Sequence, residues 1–446
     1  MKRHFLPLAL LAVCMCLTQH TLAQQTAVDF FENGISKSKT GDFTGALQAF
    51  SMAITMNPEN SASYYNRGLA KANLKDHRGA VLDYDRAIEL NAKDALAYLS
   101  RGLSKSKQED HRAALLDFSR SIELNPDDAQ AYYYRGVSRG RIDQNRGALA
   151  DFSKSLELEP TNVQAYYVRG ITKQKLNDFS GSLPDFSKVI EMTPKRSNAY
   201  AGRGVSKVEL NDFAGSLTDL TKAIELNPQD SESFYYRGYA KSKLDDYKGA
   251  LPDYDQTISL KSSNYSAYYG RGFCRSKLGD QKGAVQDFNQ AIEIDNVNTD
   301  TKVVYSGRIT HALLDNLRNL VQERNKINEL GNERAEAYFS RGVSKSKQGD
   351  AKTAILDLNK SIELSPTYAE AYFTRGMIKS AQGDQKGAIM DFNSAVKLNP
   401  RYAEAFYVRG IIKHSLGDEN GGCLDLSKAG ELGYNPSYKV ISDYCN

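Results

Sequence analysis

Beyond its first seventeen residues this chain of 446 has no apolar run long enough to cross a membrane, no block of like charges and no low-complexity stretch. The first absence excludes an internal membrane span. The other two exclude a disordered tail, so the chain reads as folded nearly from end to end. An excess of one charge is also missing: 58 Lys and Arg stand against 54 Asp and Glu, a net charge of +4. Such balance gives no electrostatic case for nucleic acid as a partner. Catalytic chemistry is equally scarce. The four histidines past the N-terminal stretch, His77, His111, His311 and His414, stand in no metal-ligand spacing, and no phosphate-cradling glycine loop or nucleophile elbow occurs. No catalytic residue, metal or cofactor is therefore expected.

The N-terminus carries the marks of an export signal: Lys2, Arg3 and His4, an apolar run from Phe5 to Leu17, then Thr21-Leu22-Ala23 before Gln24. The run is short for a membrane span, so cleavage after Ala23 is expected rather than a retained anchor. Loss of Lys2 and Arg3 reduces the positive excess to two. Cys14 and Cys16 leave with this segment, and neither follows the small residue that lipoprotein cleavage needs. Cys274, Cys423 and Cys445 remain, in a chain expected in the periplasm or at the cell surface, where a disulfide can persist.

What is abundant is repetition. Arg-Gly recurs every 34 residues at Arg67-Gly68, Arg101-Gly102, Arg135-Gly136, Arg169-Gly170, Arg203-Gly204, Arg237-Gly238 and Arg271-Gly272, then at Arg341-Gly342, Arg375-Gly376 and Arg409-Gly410. In the unit AQAYYYRGVSRGRIDQNRGALADFSKSLELEP, Tyr132, Arg135, Gly136 and Arg139 fall on one stripe of a helix, and Ala148, Asp151, Phe152 and Ser155 on one stripe of a second. Pairs such as Gly41-Asp42 and Asn177-Asp178 end one helix and cap the next, while Asn125-Pro126 and its equivalents close the second helix. Pro184 and Pro252 fall inside second helices, where a kink or a late helix start is expected.

Glycine, the small residue twelve positions on, the aromatic four beyond, a further small residue and the closing proline together resemble the tetratricopeptide repeat, over nearly the whole chain after Ala23. The departures are consistent: the Trp of that family is Tyr or Phe here, as in Tyr64, Tyr98, Phe234 and Phe406, its Leu is Arg, and its later Tyr is Lys or Arg. The resemblance implies an all-α, right-handed α-solenoid of about twelve 34-residue helix-turn-helix units over residues 24–436, closed by a cap at 437–446. One unit, about 298–332, is degenerate. It is read as a decayed repeat that still stacks, with a hinge or docking element as the alternative. Solenoids of this kind seldom carry catalysis alone.

An Asp follows the Arg of each Arg-Gly by sixteen residues in ten units, for example Arg101 with Asp117, Arg135 with Asp151 and Arg237 with Asp253. The first unit has Asn33 and Ala49 at these places and the degenerate unit lacks both charges, so the two appear and vanish together. A partly buried charge is tolerable only when paired, which predicts an internal ionic ladder. An anion-binding strip is the weaker alternative, because each Asp already neutralises its Arg.

Another stripe of the first helix carries an aromatic, an aliphatic and often a base, as in Tyr133, Val137, Arg141 and Tyr167, Ile171, Lys175. The aromatics recur at Tyr65, Tyr235, Tyr269, Phe339, Phe373 and Tyr407, interrupted by Leu99 and Ala201, and Lys107, Lys175, Lys243, Lys277 and Lys347 lie further along. In the family it resembles, first helices line the concave surface where extended peptides or partner helices dock. The resemblance makes these rings and lysines candidate contacts for a protein partner, although packing on the neighbouring unit is the more economical account of any one ring. The lysines favour a peptide with acidic groups and some apolar side chains. The family's basic clamp for a terminal carboxylate does not map here. The alternative function is a carbohydrate-binding or cell-wall-associated protein whose Tyr row stacks on sugars; acidic or amide groups beside the rings would favour it.

The ending GGCLDLSKAGELGY with a late cysteine resembles the close of many exported bacterial proteins of this family. It implies a Cys423–Cys445 disulfide that pins the tail over the last helix, leaving Cys274 as a small unpaired packing residue.

Overall fold

Helix breaks written into every unit at the same offsets produce short helices of nearly constant length. The computed structural model describes residues 26–302 and 334–445. These hold 23 helices and no strand. Ala129–Arg141, with 13 residues, and Asn145–Leu158, with 14, are typical of the first and second helix of a unit. The side chain of Asp42 accepts from the Gly45 N–H, and Asp76 and Asp110 repeat the cap 34 and 68 residues on. The residue before each cap turns left-handed, with φ of 83° at Gly41 and 91° at Gly279. That turn lets the Asp42 N–H return to the Lys37 carbonyl at 2.9 Å. Lys75 and Asn177 accept the same backbone without being glycine, at φ of 68° and 59°.

Pro184 and Pro252 do not delay their helices. Phe179–Met192 and Tyr247–Leu260 begin directly after the capping Asp and run the usual 14 residues. Both prolines are exposed, as are Ser180 and Lys248 four residues earlier, whose carbonyls lose their helical partner.

The helices group into two compact units, Met1–Asn211 and Asp212–Asn446. In the first, Leu99, Ala114, Phe118, Ile122 and Ala131 form one buried cluster. In the second, Ala250, Tyr254, Ala267 and the free thiol Cys274 form another. Each cluster draws Ala131 or Ala267 from the following hairpin, so a repeat completes its core only with a neighbour. The Arg-Gly glycine is what lets a hairpin close. A Cβ added at Gly102 would meet the Phe118 ring at 2.7 Å, and one at Gly68 the Tyr84 ring at 2.7 Å.

The degenerate segment lies almost wholly outside the described residues, but its flanks are informative. The second helix Gln281–Lys302 runs 22 residues, past the point where the others stop. Arg341 then donates to Asn289 at 2.9 Å, a bond that Arg375 makes to Asn359 across only sixteen residues. Likewise Tyr269 meets Ser340 at 3.5 Å, as Tyr65 meets Ser100 at 3.4 Å. The repeats on either side therefore stack directly on each other. The reading of the segment itself as a decayed repeat that stacks falls on residues outside those described.

At the C-terminus the helix Pro436–Tyr444 packs on Glu419–Glu431, with the Tyr438 hydroxyl donating to the Gly430 carbonyl at 2.9 Å. Cys423 and Cys445 are joined across 22 residues, their Cα atoms 5.7 Å apart.

Where the second helix carries Leu358 instead of an aromatic, a Cβ on Gly342 would be crowded less severely, at 3.1 Å from the Ala354 carbonyl oxygen and 3.2 Å from Leu358. Gly102→Ala is accordingly expected to destabilise the fold by about 1–3 kcal/mol. Adding Phe118→Leu is expected to recover part of that loss relative to the sum of the two single changes, measured by urea unfolding as a double-mutant cycle.

Candidate functional site

Each repeat spends its strongest charges internally. Among the described residues nine Arg–Asp pairs close at 2.5–2.8 Å, including Arg101–Asp117, Arg135–Asp151 and Arg237–Asp253. The Asp is buried, at 3 % exposure for Asp117 and Asp151. A third member was not assigned from sequence: the Lys or Arg four residues after each Arg, such as Lys105, Arg139 or Lys241, reaches the second carboxylate oxygen at 2.7–2.9 Å. Its spacing of one helical turn from the Arg was the available signal. The remaining donor of Arg101 reaches Asp85 of the preceding repeat at 2.6 Å, and its guanidinium lies 5.3 Å from the centre of the Tyr98 ring. Little of such an Arg is left for an outside anion, so the ladder is a fixture of the fold.

The aromatic row on the first helices is half-buried. Tyr133 packs on Phe152 with ring centres 6.0 Å apart, Tyr167 on Phe186 at 6.0 Å, Tyr269 on Phe288 at 5.7 Å and Phe373 on Phe392 at 5.7 Å. Tyr235 lies against Tyr236, Tyr239 and Tyr254. Phe339 and Tyr407 pack on Tyr368 and Tyr434 at 5.0 and 4.8 Å. One side of each ring thus belongs to the core of its own or the next repeat, and only the remainder can meet a partner. By contrast Lys107, Lys175, Lys243, Lys277 and Lys347 are all exposed. The Lys243 ammonium stands over the Tyr239 ring at 5.2 Å and that of Lys277 over Phe273 at 5.4 Å.

The structure adds residues at the opposite end of the first helix. In Met1–Asn211, Arg196 donates to Gln164 at 2.7 Å and covers the Tyr167 ring at 4.4 Å. In Asp212–Asn446 the second position of the first helix holds exposed Glu232, Glu336, Glu370 and Glu404. Partial desolvation by neighbouring atoms, with Asp230 nearby, raises the Glu232 carboxyl above its ordinary value even though the residue keeps an exposed edge. The same partial desolvation raises that of Glu336, opposed by the Tyr269 hydroxyl at 3.5 Å and the charge of Lys243. The change from Gln130 and Gln164 to Glu at this one position was legible as a drift in the repeat.

Among the described residues no group of three potential metal ligands occurs, and no helix is long and apolar enough to cross a membrane. Burial pushes the Cys274 thiol up to about 12, so it stays a protonated packing group.

Helical hairpins that repeat in register and complete one another's cores define an α-solenoid. A tetratricopeptide repeat profile matches residues 31–95 and 99–139, and a second one for the same repeat matches 265–298, 335–368 and 369–402. The chain belongs to the tetratricopeptide repeat family, whose members in general are non-catalytic scaffolds for protein interaction. Solved structures similar to it include YrrB, a repeat protein with an unusual peptide-binding site, at 23% identity, covering 42% of this chain and 97% of that one, TM-score 0.40. A repeat protein of Parabacteroides merdae is 20% identical over 56% of this chain and 99% of its own, TM-score 0.41. The Cut9–Hcn1 hetero-tetramer of the APC/C matches at 13% over 96% and 86%, TM-score 0.45. No curated protein sequence matches the chain significantly.

Asp117→Ala leaves Arg101 and Lys105 without their buried counter-charge and is expected to cost about 3–5 kcal/mol. Lys105→Gln, which leaves the Arg101–Asp117 pair in place, is expected to cost clearly less in the same chemical unfolding measurement.

Proposed function

We propose that this protein is an exported scaffold, freed of residues 1–23, that holds an extended peptide of a protein partner along the face of its first helices. One observation carries the reading: with the Arg and Asp of each repeat consumed internally, the first helices offer a partner half-exposed rings framed by charged helix ends. The leader sequence and the Cys423–Cys445 bond support export to an oxidising compartment. Rings recessed against the core suit side chains inserted between ridges, which an extended peptide supplies and a flat sugar ring does not.

Photo-crosslinking residues placed at Lys243 or Lys277 are expected to capture a partner in native envelopes, whereas the same residue at Leu116 or Met390, exposed on second helices, is not. Capture from the second-helix positions alone would reject the face. N-terminal sequencing of the exported protein is expected to begin at Gln24.

A further inference from the structure

The repeats after the degenerate segment differ from most of the others at the residue that opens the first helix. In most other repeats the first helix is capped by a short polar side chain: Asp94, Asp128, Asp230 and Asn264 accept from backbone N–H groups of the first turn, with Arg196 an exception that makes no cap bond. At the same place Tyr368 and Tyr402 make no side-chain capping bond. Loss of such a cap costs a helix about 1 kcal/mol. In exchange, each tyrosine brings a ring against the aromatic row, Tyr368 on Phe339 at 5.0 Å and Tyr402 on Phe373 at 4.8 Å. Two residues after each tyrosine stands an exposed carboxylate, Glu370 or Glu404. A glutamate in the first turn favours the helix dipole and so accounts for itself. It does not account for the ring, because an Asp cap would serve the dipole and the backbone together.

A paired ring beside an exposed carboxylate is a site for an alkylammonium or guanidinium group, which gains from the ring face and the negative charge together. Burial, then Glu370 and Glu404, push the Tyr402 phenol up to about 12, so it remains a neutral ring beside these acids.

We propose that the first-helix face of residues 335–415 binds an extended peptide carrying several Lys or Arg side chains. This rests on the reading that first helices form the partner face, and it replaces the acidic peptide expected from the lysines with a basic one for this part of the chain.

The test uses the full chain without its leader and a dye-labelled twelve-residue peptide of repeating Lys-Pro-Val, followed by fluorescence anisotropy. Binding is expected to weaken with salt and to fall at least tenfold in the triple variant Glu336→Gln, Glu370→Gln, Glu404→Gln, whose circular dichroism is unchanged. It is also expected to fall in Tyr368→Asp, which restores a cap and so is not expected to unfold the helix. Equal binding to the variants, or to a peptide with its lysines replaced by Gln, overturns the proposal. So does preference for a Glu-Pro-Val peptide, but if that preference is lost on changing Lys243 and Lys277 to Gln, the partner face stands while its basic specificity falls. Tighter, salt-independent binding of a neutral glucan hexamer would overturn both.

Discussion

A carboxylate held between two cations at the contact of two helices is the constraint on which the rest of this structure depends. Asp117 is nearly inaccessible to water, and its charge is tolerable there only because Arg101 donates to both of its oxygens and Lys105 reaches one of them as well. The same Arg lies over Tyr98 and reaches Asp85 of the preceding repeat. The three departures from the family pattern are thereby one feature. Tyr stands where Trp is usual, Arg where Leu is usual, and Lys or Arg where Tyr is usual, because ring, guanidinium and second cation form a single network around one Asp. Copied along the chain, that network ties each hairpin internally and stitches it to the one before.

A ladder of this kind also decides what is left for a partner. Side chains on its stripe are committed, so variation accumulates on the stripes that the network does not use. The first helices accordingly present amides such as Gln130 and Gln164 in one unit and Glu370 and Glu404 in the other, with the framework beneath them unchanged. The direct stacking of the repeats around the degenerate segment follows the same logic. Arg341 finds Asn289 across an insertion of about one repeat, because the bond requires the next intact hairpin, wherever it occurs in the chain.

Much of the fold was legible from residue order because its causes are local. Helix starts follow from Asp or Asn caps, helix ends from left-handed turns, and the hairpin from a glycine facing an aromatic sixteen residues later; all act within one repeat. The Arg–Asp partnership was legible as well, since its two members rise and fall together along the sequence. The late helix start expected at Pro184 and Pro252 was not realised, because the capping Asp178 and Asp246 set the start ahead of the proline.

The sequence by itself determined the all-α repeat, its period and the internal pairing of its charges, since each of these is set by contacts closed inside 34 residues. Only the tertiary structure decided which side of each ring remains open, that Lys105 and its equivalents complete the buried site, and that Tyr368 and Tyr402 meet the aromatic row of the preceding repeat. It alone decided, too, that the repeats flanking the degenerate segment touch. Those facts depend on contacts between successive hairpins, and a repeating sequence specifies what each hairpin exposes without stating which neighbour will cover it.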